Sequence, residues 1–154
     1  MASKSAVFVL LMVVVAVAAP IAVAQTGILD NPLSVIRIQG TVFCSINATL
    51  NGTASPVFPN ALVQLRCRSG NVVSISTTNR LGVFGILVLP IQISLPSLLS
   101  DCNLIVTTPL VRCNATLPSV GVLRSPLQSV GNTTVGLLRV FNVVPTGFVY
   151  VLSP

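Results

Sequence analysis

The 154-residue chain contains no histidine, and because its two acidic residues are Asp30 and Asp101 it contains no glutamate either. Its single lysine is Lys4. These absences remove most of the machinery of catalysis: no Ser-His-Asp or Cys-His unit can form, and no amine nucleophile exists beyond residue 4. Asp30 and Asp101 are the one carboxylate pair that the composition permits for glycosidase-type chemistry, and Asp30 sits near an end of the chain expected to be loose. No glycine-rich phosphate loop is present. With no histidine and no C-x-x-C pair, the ligand spacing of structural zinc is missing as well. The expectation is a non-enzymatic protein with no catalytic, cofactor-binding or metal-binding residues.

A long uninterrupted apolar run is also missing beyond residue 24, although 53% of the chain is hydrophobic and the mean hydropathy is +0.95. The greasiest later stretch, "VFGILVLPIQISLPSLL", is broken by Pro90, Gln92 and Pro96 before it reaches bilayer length. The first 24 residues differ. Lys4 gives a positive start, Ala6 to Ala18 an apolar core, Pro20 a helix stop, and Ala22, Val23 and Ala24 an A-x-A cleavage site. An uncleaved anchor is the rival reading, and the well-placed small-residue site favours cleavage. Residues 1–24 therefore read as a signal peptide and 25–154 as a single secreted domain with no stable membrane insertion, its apolar residues filling a core.

Past the cleavage site the charge is arginine alone on the basic side: Arg37, Arg66, Arg68, Arg80, Arg112, Arg124 and Arg139 against two aspartates. Such a chain would attract a microbial surface, acidic polysaccharide, anionic membrane or nucleic acid by long-range electrostatics, but solubility alone is the favoured reading of the charge. The arginines are spread along the sequence instead of clustered, which argues against nucleic acid. Nothing in the sequence sets an oligomeric state.

Four cysteines, Cys44, Cys67, Cys102 and Cys113, lie behind the signal peptide, so two disulfides are expected. Sequence alone leaves three connectivities open. In "SVIRIQGTVFC", Ile36, Ile38, Val42 and Cys44 share one parity and Arg37, Gln39 and Thr41 the other, the alternation of a half-buried strand. Gly40 interrupts the inward row and marks a bulge or a close backbone approach. "ALVQLRCR" repeats the pattern, with Val63, Leu65 and Cys67 inward. "NVVSIST", the turn "TNRLG" and "VFGILVL" read as a hairpin of two strands whose outward residues are Ser and Thr. "CNLIVTT", "VGLLRVFNVV" and "GFVYVL" supply further strands, and "PIQISLPSLLS" has room for one short turn of helix. Short strands separated by Gly, Pro and Asn imply an all-β fold, an antiparallel sandwich or barrel.

Four N-glycosylation acceptors, Asn47, Asn51, Asn114 and Asn132, each open an Asn-x-Thr triplet in or beside an expected loop. "FCSINATLNGT" then reads as a strand that leaves the core at Cys44 and becomes a sugar-bearing surface loop.

The segments "SVIRIQGTVFCSIN", "VFPNALVQLRC", "STTNRLGVF", "CNLIVTTPLVRCNATL" and "PTGF", in this order, resemble the phylloplanin family of plant leaf-surface proteins and, more distantly, the pollen Ole e 1 and extensin-like family. The resemblance implies an immunoglobulin-like or transthyretin-like sandwich of about seven strands, with Cys44 bonded to Cys113 and Cys67 to Cys102. The extra cysteines of the pollen proteins, one just after the first and one near the C-terminus, are missing here, and with them a third bridge. Secretion onto the aerial plant surface and inhibition of fungal or oomycete germination are likewise what the resemblance implies. The alternatives are a structural cell-wall or cuticle-surface glycoprotein of the extensin-like type that binds polysaccharide, and a carrier of a small ligand in the sandwich. The chain lacks the long Ser-Pro repeat that would favour the structural reading.

Overall fold

Alternation of side chains across the backbone builds two facing sheets. The computed structural model describes residues 33–46, 55–68 and 70–153. The proposed signal peptide, Asp30 and the acceptors Asn47 and Asn51 lie outside the described residues. β1 (Leu33–Thr41) turns Ile36 and Ile38 inward, and Val42 continues the buried row beyond its end. β2 (Leu62–Cys67) buries Val63, Leu65 and Cys67. β3 (Asn71–Thr77), β4 (Val83–Val88), a short helix α1 (Leu95–Asp101) and β5 (Cys102–Val106) follow. A 3-10 turn (Leu110–Arg112) leads to β6 (Val122–Ser125), β7 (Leu127–Val135), β8 (Leu138–Pro145) and β9 (Val149–Val151).

One sheet has the order β4-β1-β8-β7 and the other β3-β2-β5-β6-β9. All pairs are antiparallel except β1 with β8, which run parallel from Leu33/Leu138 to Ile38/Val143. The fold is an all-β sandwich, with nine strands among the described residues where about seven were expected. The additional strands come from "VLRS" and "LQSVGNTTV", whose Ser, Thr, Asn and Gly content reads as loop. Pairing with β5 and β8 supplies what local propensity does not.

The core between the sheets joins Ile36, Ile38, Val63, Leu65, Phe84, Ile86, Leu104, Leu123 and Val143 with Phe58 and Phe148. α1 closes one end with Leu98 buried; Ser94 caps it by accepting from the Ser97 amide at 3.4 Å, and Pro96 stands in its first turn. Among the described residues no helix is long and apolar enough to cross a membrane.

Two expectations are corrected. "TNRLG" does not close a hairpin: β3 belongs to the five-stranded sheet and β4 to the four-stranded one, so the turn is an arch between sheets. Thr78 anchors it from inside, donating its hydroxyl to the Phe58 carbonyl at 2.6 Å and accepting the Ala61 amide at 2.8 Å. Asn79 Oδ1 accepts the amides of Leu81 and Val83, and Gly82, at φ +75°, leaves no room for a Cβ against the Val42 carbonyl at 2.7 Å. A hairpin and an arch call for the same turn residues, and only the tertiary partner of β4 separates them. The second correction concerns β3 itself. Ser74 and Ser76 pair with the inward residues Leu65 and Val63, while Val73 and Ile75, on the parity opposite to the serines, are exposed.

Gly40 is the close approach that its place in the sequence implied. A Cβ there would meet the Pro145 ring at 2.7 Å. Pro145 opens "PTGF", a segment that ties the β8–β9 turn to the β6–β7 crossover: Thr146 donates its amide to the Pro126 carbonyl, and Gly147 donates to the buried Ser125 hydroxyl. Phe148 packs edge-on against Phe84 with ring centroids 6.3 Å apart.

Candidate functional site

The two disulfides clip opposite ends of the sandwich. Cys44 is bonded to Cys113 beyond the ends of β1 and the 3-10 turn, and Cys67 to Cys102 across the β2–β5 register. Each cysteine follows from strand parity or a turn, and each sulfur is spent in a bond, so no free thiol exists among the described residues.

Asn114 follows the first of these bridges. Its Oδ1 accepts both the Thr116 amide at 3.0 Å and the Thr116 hydroxyl at 2.7 Å, an Asx turn on an exposed loop that leaves the amide nitrogen outside both bonds. Asn132 corrects the expectation of a loop: it lies within β7, next to the register shift between Ser129 and Asn132. It is nonetheless exposed, because β7 is the edge of its sheet.

The arginines are less scattered in space than in sequence. On the outer face of the five-stranded sheet one row crosses every strand in register: Ile75, Gln64, Ile105, Arg124 and Val149. The next row runs Val72, Arg66 and Asn103. Arg66 and Arg124, with Arg68 at the end of β2, line one cavity of about 310 Å³ together with Asp101, Asn103 and Ile105. Ile105 lies on the outward parity yet is only 2% exposed, outside the main core cluster, so the surrounding polar side chains roof it over.

The charges in this cleft are held unequally. Arg66 donates Nε to Gln64 Oε1 at 2.8 Å, which fixes the plane of the guanidinium and leaves its terminal nitrogens outward. Arg124 has no side-chain hydrogen-bond partner among the described residues. Asp101, the one acidic side chain described, faces Arg68 at 3.5 Å in an exposed pair of little energetic weight. Arg68 stands at φ +37°, a left-handed conformation that a side-chain-bearing residue seldom adopts. Three cations against one anion leave an excess of positive charge over an aliphatic floor. Parity could have shown Arg66 facing outward; its meeting with Arg124 depends on β6, which the sequence hides.

A second cavity of about 280 Å³ opens where β1 and β8 end, lined by Gly40, Phe43, Val144, Pro145 and Phe148 among others. Its lining is mainly apolar and holds no charged side chain.

The family described as "Phylloplanin antifungal protein" matches residues 32–154, which span both sheets, both disulfides and the arginine cleft. The chain belongs to the phylloplanin family. Phylloplanin of Nicotiana tabacum is 43% identical to it over 157 residues, covering 98% of each chain. Of the segments that carried the resemblance, several serve the fold: "STTNRLGVF" is the arch between sheets and "PTGF" the tie between β8 and the β6–β7 crossover.

Proposed function

We propose that this phylloplanin-family chain is a secreted, non-enzymatic protein of the aerial plant surface that inhibits germination or growth of fungal and oomycete pathogens by contact. The observation that carries the reading is the match of residues 32–154 to a family described as antifungal, together with the full-length likeness to tobacco phylloplanin. Two disulfides at opposite ends of a small sandwich suit a protein that works in an oxidising, unprotected setting. The exposed aliphatic residues beside the arginines, Val72, Ile75 and Val149, support contact through shape and apolar surface as well as charge.

The test applies purified protein to germinating spores at low and physiological salt, beside a disulfide-reduced sample and an inert basic protein of equal charge. Inhibition by the native protein alone, retained at physiological salt, is the expected result. Inhibition confined to low salt would make charge steering the mechanism. Its absence under every condition would favour the second reading, a glycoprotein of the cell wall or cuticle surface that binds polysaccharide. The cleft and the exposed acceptors Asn114 and Asn132 support that alternative.

A further inference from the structure

We propose that the cleft formed by Arg66, Arg124, Asn103 and Ile105 binds carboxylated polysaccharide, a chain of uronic acid sugars. The inference rests on the extracellular reading above only in that such chains occur outside the cell. A sugar ring presents an aliphatic C–H face and a polar rim. The cleft offers the complement, with the exposed Val72, Ile75 and Val149 beside the arginines as apolar contacts and guanidinium, amide and carboxylate groups around them. Guanidinium forks match carboxylates in a planar, two-point geometry. Arg66 is preset for this by the bond from its Nε to Gln64, and Arg124 spends no hydrogen bond on the described residues.

Spacing points to a polymer more than to one small anion. Arg66 lies on β2 and Arg124 on β6, with β5 between them and a stagger of two residues along the strands, so their backbones stand roughly 12 Å apart. Two cations so placed engage charges on different sugars of one chain. The cavity, at about 310 Å³, is at the small end of the roughly 300 to 1,000 Å³ usual for ligand sites. That suits a short stretch of a chain that continues past both ends. Asp101 and Asn103 give acceptors for sugar hydroxyls.

The experiment measures retention of the purified protein on immobilised polygalacturonate, on the same polymer fully methyl-esterified, and on phosphatidylserine vesicles. Variants are Arg66→Ser/Arg124→Ser and, removing equal charge elsewhere, Arg80→Ser/Arg139→Ser. Binding to the free acid is expected, weakening as salt rises. It should be lost on the methyl ester and fall at least tenfold in Arg66→Ser/Arg124→Ser, with Arg80→Ser/Arg139→Ser unaffected and both variants melting with the parent. Equal binding to acid and ester would overturn the proposal, as would an equal loss in the two variants. Stronger retention on vesicles would replace it with a membrane site. None of these readouts involves spores, so failure here with germination still inhibited leaves the proposed function standing, and binding without inhibition does the reverse.

Discussion

The two sheets use arginine in opposite ways on their outer faces. On the four-stranded sheet Arg37 is absorbed into a ladder: its Nη2 donates to Asn142 Oδ1 at 3.1 Å, and Asn142 Nδ2 donates to Thr133 Oγ1 at 3.0 Å, linking β1, β8 and β7. On the five-stranded sheet Arg66 is steadied by one bond and Arg124 by none. Each face also hides one aliphatic residue outside the main core cluster, Val140 on the first and Ile105 on the second. The same residue types thus stabilise one face and leave the other ready for a ligand. What separates them is where the arginine bonds: Arg37 reaches Asn142 across the strand boundary, whereas Arg66 bonds Gln64 on its own strand instead of Asn103 opposite it on β5.

The largest effects should come from the two bridges. Cys67→Ser with Cys102→Ser opens a bond of sequence separation 35 and should lower unfolding free energy by about 4 kcal/mol on the chain-entropy model. Cys44→Ser with Cys113→Ser, separation 69, should cost about as much. Denaturant titration reads both. They should part in polygalacturonate binding at a temperature where each remains folded, because Cys67 lines the cleft and Cys44 does not. Equal binding losses would erase the distinction between the faces.

Next come the two hidden aliphatics. At about 0.8 kcal/mol per buried carbon, Ile105→Ala should cost about 2.5 kcal/mol and Val140→Ala about 1.5 kcal/mol. A smaller loss at Ile105 than at Val140 would show that the arginine roof does not keep water from the floor of the cleft. The arginines themselves should divide cleanly. Arg37→Ser should lower stability by about 1 kcal/mol, since it leaves Asn142 with one partner fewer, and should not change polygalacturonate binding. Arg124→Ser should shift stability by less than about 0.5 kcal/mol while weakening binding. The smallest effect is expected at Arg68→Gly, where relief of the left-handed backbone is largely offset by the chain entropy of glycine and stability rises by only about 0.3 kcal/mol, visible as a slight rise in Tm.

Much of this was legible in the sequence where burial and parity coincide. Ile36, Ile38, Val63 and Leu65 alternate with polar neighbours and face the core, and Gly40 marked a close approach that proved to be the Pro145 ring. β3 misled because it is an edge strand, where a valine or isoleucine can face solvent and a serine can face in. β7 was hidden for the converse reason: "QSVGNTTV" has little apolar pattern, and its strand exists through hydrogen bonds to β8. The cleft followed the same logic. Arg66 declared its outward face locally, but Arg124 reached it through a register crossing β2, β5 and β6, which no local pattern encodes.

The parallel pairing of β1 with β8 bears on the order in which the chain can fold. β1 is an inner strand, flanked by β4 on one side and β8 on the other. As the polypeptide lengthens during synthesis, β4 reaches β1 early, but the second flank stays open until the segment around Val143 has been made. Until then the strand that begins the described fold carries a row of unpaired amides and carbonyls, the kind of edge that recruits another chain. Cys44 waits in the same interval for Cys113. Completion from such distant partners is intrinsically slow, and the hazard of misassembly falls in the time before the last strands arrive.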